Sequence, residues 1–275
     1  MRSEAEFTEF ISLVWDHYKQ QGRHDLPWRR PSRLRPYPIL VSELMLQQTP
    51  VERVVPKYLA FLRTWPSARA LAAAERGSVI RAWQGLGYNR RAKYLHELAQ
   101  QVTVKNRGQL PRDHQALRAL PGVGPYTAAA VQVFAYNQPK VLIETNVRQV
   151  YFHHFFTGQV AVSDQALVPL IERTVSTDRP REWYWALMDY GSYLKRTTRN
   201  LSSESRHYVR QSPFRGSDRE IRGAILRQLS EVATGLTTHH CIAALPEFSP
   251  ERIKTQLVRL AQDGLVQQAN DYWHL

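Results

Sequence analysis

The stretch "LPGVGPYTAAAVQV", residues 120–133, sets a glycine-bracketed turn directly before an apolar, alanine-rich helical pattern. Gly122 and Gly124 permit positive φ and close backbone approach, and Pro125 suits the first position of a helix because its missing N–H would be unpaired there. The turn therefore presents backbone amides and a helix N-terminus outward, which predicts a site for an anion such as a phosphate. A tight connection between two helices with no ligand is the alternative interpretation.

The charge of the chain favours the first interpretation. Its 275 residues include 37 Lys and Arg against 24 Asp and Glu, which gives a net charge of +13. An excess of this size in a folded chain indicates a polyanionic partner, with nucleic acid ahead of a membrane. The sequence contains no run of about 18 apolar residues and no apolar signal-peptide core near its start. We therefore expect a soluble, intracellular monomer, cytoplasmic and associated with the nucleoid, without membrane contact.

Cysteine and histidine give no support for a metal centre. Cys241 is the single cysteine, which excludes a disulfide framework and a thiolate-ligated cluster. The histidine pairs at 153–154 and 239–240 are sequence neighbours, and neighbouring side chains on a helix point about 100° apart. We expect no catalytic metal and no cofactor, and leave only a monovalent cation at the hairpin turn open.

Helical periodicity dominates the first 200 residues. Apolar residues recur at i, i+3 and i+4, as Phe7, Phe10 and Val14 do in the first such segment. No stretch alternates with period 2 for long enough to predict a sheet. The predicted helices cover residues 6–21, 37–49, 51–65, 67–83, 89–105, 126–136, 146–156, 165–175 and 182–194, with Asp113 as the N-cap of a further short helix. The pattern predicts an all-α fold.

After about residue 212 the pattern changes. "SDREIRGAILRQLSEVA" and "THHCIAAL" predict two helices, and "SPERIKTQLVRLAQDG" predicts a third that begins after Ser249 and stops at Gly264. "LVQQANDYWHL" then predicts two short strands around an Asn-Asp turn. Three helices followed by a hairpin are typical of a small winged-helix-like domain, here over residues 212–275, which would contact DNA or another protein.

Six sequence blocks together resemble a known family. They match, in order and spacing, the helix-hairpin-helix DNA glycosylases of the HhH-GPD superfamily, and they are most similar to the MutY-type adenine glycosylases. The resemblance covers roughly residues 6–193 and rests on "LPWR" (26–29), "VSELMLQQT" (41–49), "WQGLGYNRRAKYLH" (83–96), "LPGVGPYTA" (120–128), "NVRQV" (146–150) and "ALMDYG" (186–191).

The resemblance implies a two-lobed fold and a double-stranded DNA partner that contains a mismatched or damaged base. Residues 1–28 plus 136–211 would form a terminal helical lobe, and residues 29–135 a six-helix lobe with the hairpin. The target nucleotide would be flipped into a cleft between the lobes, because its glycosidic bond cannot be reached inside a stacked duplex. The implied DNA contacts are Arg29, Gln47, Gln48, Thr49, Leu86, Gly87, Tyr88, Gly122, Val123 and Gly124, with Leu86 and Tyr88 as wedges beside the opposite base.

Two carboxylates are candidates for the cleavage of the glycosidic bond. Breaking C1′–N builds positive charge on the sugar and negative charge on the departing purine, so the site needs an acid at the base and an anion near the sugar. By resemblance, Glu43 takes the acid position, where desolvation in an apolar helix favours its protonated form. Glu144 takes the anion position, with Tyr126 and Asn146 retained around it. The superfamily normally has aspartate there, and since a displacement of about 1 Å can cost about 10²-fold in rate, we expect the backbone to have compensated.

Tyr126 carries a second implication of the resemblance. It lies where bifunctional relatives such as endonuclease III have a Schiff-base lysine. A phenol cannot form that imine, so we expect a monofunctional glycosylase without lyase chemistry.

The residues that follow "ALMDYG" depart from the family. The relatives usually have four cysteines there at C-x6-C-x2-C-x5-C, which ligate a [4Fe–4S] cluster, and the same spacing here falls on Lys195, Ser202, Ser205 and Gln211. None of these can replace a thiolate, so we expect no iron–sulfur cluster. Residues 195–227 carry nine basic residues, which could contact DNA phosphates without a cluster. A merely solvated linker is the alternative. The basic residues are Lys195, Arg196, Arg199, Arg206, Arg210, Arg215, Arg219, Arg222 and Arg227.

The target base is the least determined feature. "LQQT" (46–49) matches the adenine enzymes, whereas thymine-mismatch relatives usually have arginines in place of the glutamines. The adenine enzymes usually add a C-terminal Nudix-like domain that helps to read 8-oxoguanine, and this sequence has the winged-helix pattern instead. We expect a glycosylase that removes adenine opposite 8-oxoguanine or guanine. A glycosylase for mismatched thymine, uracil or another damaged base, and a catalytically silent DNA-binding protein, stay open as alternatives.

Overall fold

The computed structural model describes residues 3–275, and most of them are helical, which confirms the predicted all-α class. The α-helices of the described residues are α1 (Glu4–Gln21), α2 (Pro36–Leu46), α3 (Val51–Thr64), α4 (Ala68–Ala72), α5 (Arg76–Trp83), α6 (Arg90–Asn106), α7 (His114–Arg118), α8 (Pro125–Tyr136), α9 (Thr145–Phe155), α10 (Asp164–Thr174), α11 (Pro180–Thr197), α12 (Asp218–Glu231), α13 (Thr238–Ala243) and α14 (Pro250–Gln262). The strands are β1 (Leu236–Thr237), β2 (Gln267–Ala269) and β3 (Tyr272–His274). No helix among residues 3–275 is long and apolar enough to cross a membrane.

Several helix ends lie where local sequence signals predict them. Asp113 caps α7, since its Oδ1 accepts a hydrogen bond from the Ala116 amide at 2.8 Å. Pro125 and Pro250 occupy the first turns of α8 and α14, where no backbone donor is lost. Gly264, with φ +68°, follows the end of α14. The predicted cap and stop residues are confirmed at these positions.

One predicted helix is divided in two. The sequence 67–83 forms α4 and α5, with a break at residues 73–75 that contains neither glycine nor proline. The carbonyl oxygen of Ala74, freed by the break, lies 3.0 Å from Nε2 of the buried His96 on α6. A tertiary contact therefore accommodates the break, and local periodicity could not reveal it.

The chain divides into two compact units. The first unit contains residues up to Ile39, Arg112–Arg118 and Val123–Arg210, and the second contains Leu40–Pro111, Ala119–Gly122 and Gln211–Leu275. The core of the first unit is built by apolar faces of α1, α8, α9 and α11, which include Phe10, Phe134, Phe152 and Trp183.

The first unit also buries a charged cluster around Asp189 of α11. Arg29 donates to both carboxylate oxygens, at 2.7 and 2.9 Å, and its guanidinium lies 5.3 Å from the centroid of the Trp185 ring. Arg23 donates from Nε at 2.6 Å and from its backbone amide at 2.9 Å. Arg29 is 6% exposed. Its guanidinium ties the N-terminal segment to α11, and the expected DNA contact of Arg29 stays a prediction.

Acid is expected to weaken the first unit through this cluster. Burial would raise the pKa of Asp189, but the hydrogen bonds and charges of Arg29 and Arg23 outweigh it and hold that pKa below its ordinary value. The unfolded chain then binds the proton first, so the stabilisation is complete at neutral pH and is lost as the pH falls through the folded pKa.

Replacing Asp189 by asparagine should therefore lower the unfolding free energy by roughly 1.5 to 3 kcal/mol at pH 7. The difference from wild type should shrink below about pH 4, because the unfolded wild-type chain takes up a proton there while the folded carboxylate, with its lowered pKa, takes it up only at lower pH. Urea unfolding at several pH values measures both effects. A difference that stays constant down to pH 3 would contradict this account.

Residues 212–275 form a small helical module with a sheet, inside the second unit. The three strands pair antiparallel in the order β1-β3-β2, with Trp273 opposite both Leu236 and Gln268. The prediction had two strands, and β1 was missed because its two residues are too few to show a period. The module packs on the rest of the unit, since its core includes Ile80 of α5 and Lys93 of α6 donates to the Asp263 carbonyl at 2.8 Å.

Candidate active site and DNA-contact loops

The hairpin turn between α7 and α8 has the predicted positive φ and close approach at Gly122 but not at Gly124, whose backbone is extended with φ −84°. Gly122 has φ +73°, and a Cβ on it would lie 2.7 Å from Cβ of Tyr94, so a larger residue would not fit. Gly124 precedes Pro125, and a Cβ there would meet nothing within 4 Å. Val123 is 6% exposed and anchors the turn. Gly124 thus lies open at the N-terminus of α8, where the first amides of a helix have no intrahelical acceptor. Phosphate binding there stays a prediction.

The Glu144 carboxylate is fixed at the N-terminus of α9. Its Oε1 accepts from the backbone amides of Asn146 and Val147, both at 2.8 Å. Its Oε2 accepts from Nδ2 of Asn146 and from the hydroxyl of Thr145, both at 3.2 Å. Glutamate is an uncommon N-cap, because Ser, Thr, Asp and Asn reach these amides with shorter side chains. Four donors and the positive end of the helix dipole thus hold one carboxylate in a single orientation.

Asn146 links Glu144 to a residue that sequence reasoning did not place in the site. Nζ of Lys195, on α11, donates to Oδ1 of Asn146 at 3.0 Å. The two helices approach closely, since a side chain at Gly191 would collide with the carbonyl of Asn146. Burial lowers the pKa of Lys195 below its ordinary value, because burial and the charge of Arg148 outweigh the opposite effect of Glu144. Lys195 stands at the first cysteine position of the relatives, and only its spacing from "ALMDYG" could have drawn attention to it.

A second cation near Glu144, Arg148, is paired with another carboxylate. Arg148 of α9 forms two hydrogen bonds to Asp164, at 2.7 and 2.6 Å. These hydrogen bonds, with the charges of Asp164 and Glu144, outweigh burial and raise the pKa of Arg148. Arg148 therefore contributes a fixed positive charge, while its donors on Nε and Nη2 are directed to Asp164.

Tyr126 lies in the first turn of α8, in the same unit as Glu144. It is half-buried and packs against the core of the first unit. The packing role and the predicted place beside the reaction are compatible, because the side chain is neither fully buried nor fully exposed.

Glu43, the predicted acid, belongs to the second unit. It lies on α2 and is 9% exposed, between Ser42 and Leu44, which are also buried. Apart from Tyr37, Ser42 and Glu43, every side chain of this helix is apolar.

Two tight loops of the second unit contain the other predicted DNA contacts. Gln48 and Tyr88 both have left-handed backbones, with φ of 55° and 48°. The loops are joined by the Thr49 hydroxyl, which donates to the Leu86 carbonyl at 2.9 Å. Gln47 is half-buried, and Gly87 is exposed with φ +72°. Tyr88 is 40% exposed, whereas Leu86 is 2% exposed. Of the two predicted wedges, Tyr88 is therefore presented outward, whereas Leu86 supports its loop from inside. The wedge role of both residues stays a prediction.

Arg91 holds both loops together, and sequence reasoning missed it. Nη1 donates to the carbonyls of Leu44, Met45 and Gln47, at 2.6, 3.1 and 2.7 Å. Its other nitrogens donate to Thr49 Oγ1 and to the carbonyls of residues 86, 87 and 88, at 2.7 to 3.3 Å. Burial lowers the pKa of Arg91 to about 10, which leaves it charged at neutral pH. In sequence it is one of two adjacent arginines at the start of α6, with nothing to single it out.

The segment 198–206 is ordered by hydrogen bonds to buried groups. The Gln149 side chain, 1% exposed, donates to the Arg199 carbonyl at 2.9 Å and accepts from the Leu201 amide at 2.8 Å. Val162 exchanges backbone hydrogen bonds with the carbonyl of Glu204 and the amide of Arg206. Among residues 3–275 no group of three or more His, Cys, Asp or Glu side chains is arranged to hold a metal ion. The hydrogen bonds of Gln149 and Val162 thus fix the start of this segment.

Comparison with known proteins points to one family. Residues 41–168 match the family model of the HhH-GPD superfamily base excision DNA repair proteins. The chain is 36% identical over 276 residues to the adenine DNA glycosylase of Mycolicibacterium smegmatis. The aligned region covers 94% of this chain and 92% of that protein. It is 35% identical over 213 residues to the human adenine DNA glycosylase. That aligned region covers 74% of this chain and 39% of the human protein. The chain thus spans nearly all of the first relative and less than half of the second.

Solved structures share the fold. A thermostable thymine-DNA glycosylase superposes with a TM-score of 0.61 at 25% identity, over 72% of this chain and 91% of that one. A trapped endonuclease III–DNA covalent intermediate superposes with a TM-score of 0.53 at 19% identity, over 78% of this chain and 92% of that one. The helical architecture described above is therefore a DNA glycosylase fold.

Proposed function

This chain belongs to the adenine DNA glycosylases of the HhH-GPD superfamily, and from that premise we propose that it is a monofunctional glycosylase that removes mismatched adenine opposite 8-oxoguanine or guanine in double-stranded DNA. The observation that carries the proposal is the Glu144 carboxylate, held at the N-terminus of α9 by two backbone amides. Such a site stabilises negative charge. Glu144 is therefore suited to lie beside a sugar that becomes positive in the transition state.

The proposed reaction is hydrolysis of the bond between C1′ and the base. Glu43 gives its proton to the departing adenine as the bond breaks, so the base leaves neutral. Glu144 stabilises the oxocarbenium-like sugar, as the anionic carboxylate does in glycoside hydrolysis. Water adds its hydroxyl to C1′, and its remaining proton returns to a carboxylate. The products are free adenine and an abasic site in an uncut strand.

Two side chains support these roles. Asn146 donates to Glu144 and accepts from Lys195, so it fixes the orientation of the carboxylate relative to α11. Tyr126 supplies no amine for an imine with the sugar, which favours hydrolysis without strand cleavage. We propose that the enzyme acts as a monomer and that the hairpin at Gly122–Gly124 binds a DNA phosphate through backbone amides.

We also propose that the protein binds no iron–sulfur cluster. A [4Fe–4S] cluster needs four thiolates, and the chain has one cysteine, Cys241, which is buried in the C-terminal module. The purified protein should be colourless, should lack stoichiometric iron and acid-labile sulfide, and should unfold at the same temperature with and without an iron chelator. Metal analysis and thermal unfolding check this, and stoichiometric iron with iron–sulfur absorbance would contradict it.

A panel of duplexes tests the proposed function. Each contains one A:8-oxoguanine, A:G, T:G, U:G or hypoxanthine pair, and products are analysed with and without hot alkali. Excision from A:8-oxoguanine or A:G, with strands cut only after alkali, is the expected result. Strand cleavage without alkali, trapped by borohydride, would overturn the monofunctional assignment.

Thymine excision is the second candidate function, because one solved structure of the same fold is a thymine-DNA glycosylase at 25% identity. Gln47 and Gln48 favour adenine over it, since thymine-mismatch relatives usually have arginines there. Activity confined to T:G or U:G in the panel would select thymine or uracil instead. No excision from any duplex, with binding retained, would select the silent DNA-binding alternative.

A further inference from the structure

Gln48 and Tyr88, on separate loops of the second unit, are joined by the side chain of Gln211. Nε2 of Gln211 donates to the Tyr88 hydroxyl at 2.9 Å and also to Oε1 of Gln48. Both loop residues have left-handed backbones, which non-glycine residues hold only where surrounding contacts fix them. Gln211 is the last of the four positions, 195, 202, 205 and 211, at which the relatives usually have cysteines. A residue outside both loops therefore fixes the relative position of the Gln48 and Tyr88 side chains.

A second residue, eight positions after Gln211, also donates to the Tyr88 hydroxyl. Nη1 of Arg219, in the first turn of α12, donates to it at 3.3 Å, and Nη2 donates to the Ser212 carbonyl at 2.6 Å. The same guanidinium lies 6.0 Å from the centroid of the exposed Phe214 ring. Arg219 is thus fixed by its own segment and brings a positive charge to the tip of Tyr88.

The ring of Tyr88 is held as well as its hydroxyl. Cζ of Arg91 lies over the ring, 5.6 Å from its centroid, and the Arg91 side chain is itself locked by carbonyls of both loops. The side chain is therefore fixed at both ends while 40% of its residue surface stays exposed. An exposed aromatic side chain held this firmly has little rotamer freedom left to lose on binding.

We propose that Gln211 and Arg219 are positioning residues that hold Tyr88 and Gln48 ready to enter the base stack beside the target nucleotide. This inference rests on the proposed function. A side chain that enters between base steps must replace stacking contacts at a defined place, so a fixed orientation favours opening of the duplex. The residues that link the glycosylase helices to the C-terminal module thereby take part in DNA opening.

The contacts distinguish this role from general attraction to DNA. A phosphate contact would help every duplex alike, because it does not depend on whether the bases are stacked. A residue that positions a wedge matters only where a stack has to be opened, since an unpaired base costs least to extrude. The same A:G mismatch in a fully paired duplex and in a bubble of unpaired neighbours therefore separates the two roles.

The test uses Tyr88→Phe, Gln211→Ala and Arg219→Ala in the full chain. Each variant should lower single-turnover excision from the paired duplex by about tenfold and from the bubble by less than about twofold. In the double variant of Tyr88→Phe with Gln211→Ala, the combined loss should be smaller than the product of the two single losses, because the Gln211–Tyr88 contact is shared and only the Gln211–Gln48 contact is lost in addition. Activity on the bubble also shows that each variant is folded.

Arg227→Ala is the matched control. Arg227 is exposed on the same helix as Arg219, and its loss removes the same charge. It should leave the ratio of rates on the two substrates unchanged. Equal losses on paired duplex and bubble in the Gln211 and Arg219 variants, or wild-type rates for all three test variants, would overturn the inference.

Failure of the proposed function has a separate signature. If the wild-type protein excises adenine from neither substrate, the glycosylase proposal fails. The inference is then decided by 2-aminopurine placed beside the A:G pair, whose fluorescence reports opening of the stack without any cleavage. A larger rise with wild type than with Tyr88→Phe or Gln211→Ala supports the positioning role, and equal rises refute it.

Discussion

Replacing Glu144 by glutamine is expected to abolish excision of adenine while duplex binding stays at the wild-type level. Glutamine keeps the length of the side chain and an oxygen that can accept from the amides of Asn146 and Val147, so the start of α9 is preserved. The change removes the negative charge, which is the property that the positive sugar requires. We expect the single-turnover rate to fall by roughly 10²- to 10³-fold or more, with little change in the unfolding midpoint.

Glu144→Asp is the sharper companion to this variant. Aspartate keeps the charge but withdraws it by about one methylene, and in a backbone adapted to glutamate this should slow excision by about ten- to a hundredfold. Faster excision by the aspartate variant would show that the backbone has not adapted. Asp113→Asn, at the N-cap of α7 in the same unit, controls for the loss of a capping charge and should leave the rate unchanged. Equal rates for wild type and Glu144→Gln would show that Glu144 is not the catalytic anion.

Features with a local cause could be predicted from the sequence. Gly122 of the hairpin, the Asp113 cap and the apolar periodicity of α1 each act over a few residues, and the structure has each where the pattern indicates. The succession of helices follows from the same kind of signal. Glu144 could be singled out because it stands just before a helical pattern, although its four donors could not be read from that position.

Features decided by distant partners could not be predicted. Arg29 appears in "LPWR" as a free cation, but its guanidinium is committed to Asp189, which lies 160 residues along the chain. Leu86 looks like an exposed tip of a tight turn, but it is 2% exposed beneath its loop. Nothing in the local sequence distinguishes Lys195 and Arg91 from other basic residues. Only the folded structure brings Lys195 to Asn146 and Arg91 to the two loops. The burial and the pairing of a charged side chain depend on tertiary contacts, so they cannot be predicted from the spacing of residues along the chain.

Replacing Arg91 by methionine is expected to have the largest effect on stability among single substitutions in the second unit. Methionine fills similar volume without a donor, so the carbonyls of the buried residues Leu44, Met45 and Leu86 would lose their partner. Unsatisfied buried polar groups of this kind cost about 1 to 3 kcal/mol each, partly relieved by local rearrangement. We expect a loss of roughly 3 to 5 kcal/mol in unfolding free energy, measured by urea denaturation.

Excision should fail in the same variant even under conditions where it is folded, because the two loops that we expect to contact DNA lose the group that joins them. Arg91→Lys separates charge from geometry: an ammonium group has three donors against the forked guanidinium of arginine, so it can serve one loop but not both. It should recover part of the stability and little of the activity. Arg90→Ala is the matched control, since Arg90 is the sequence neighbour, its side chain is 61% exposed and its nearest acid, Asp263, is 3.7 Å away. A surface pair of this kind contributes about 0 to 1 kcal/mol, so a loss in Arg90→Ala as large as that in Arg91→Met would show that Arg91 does not hold the loops.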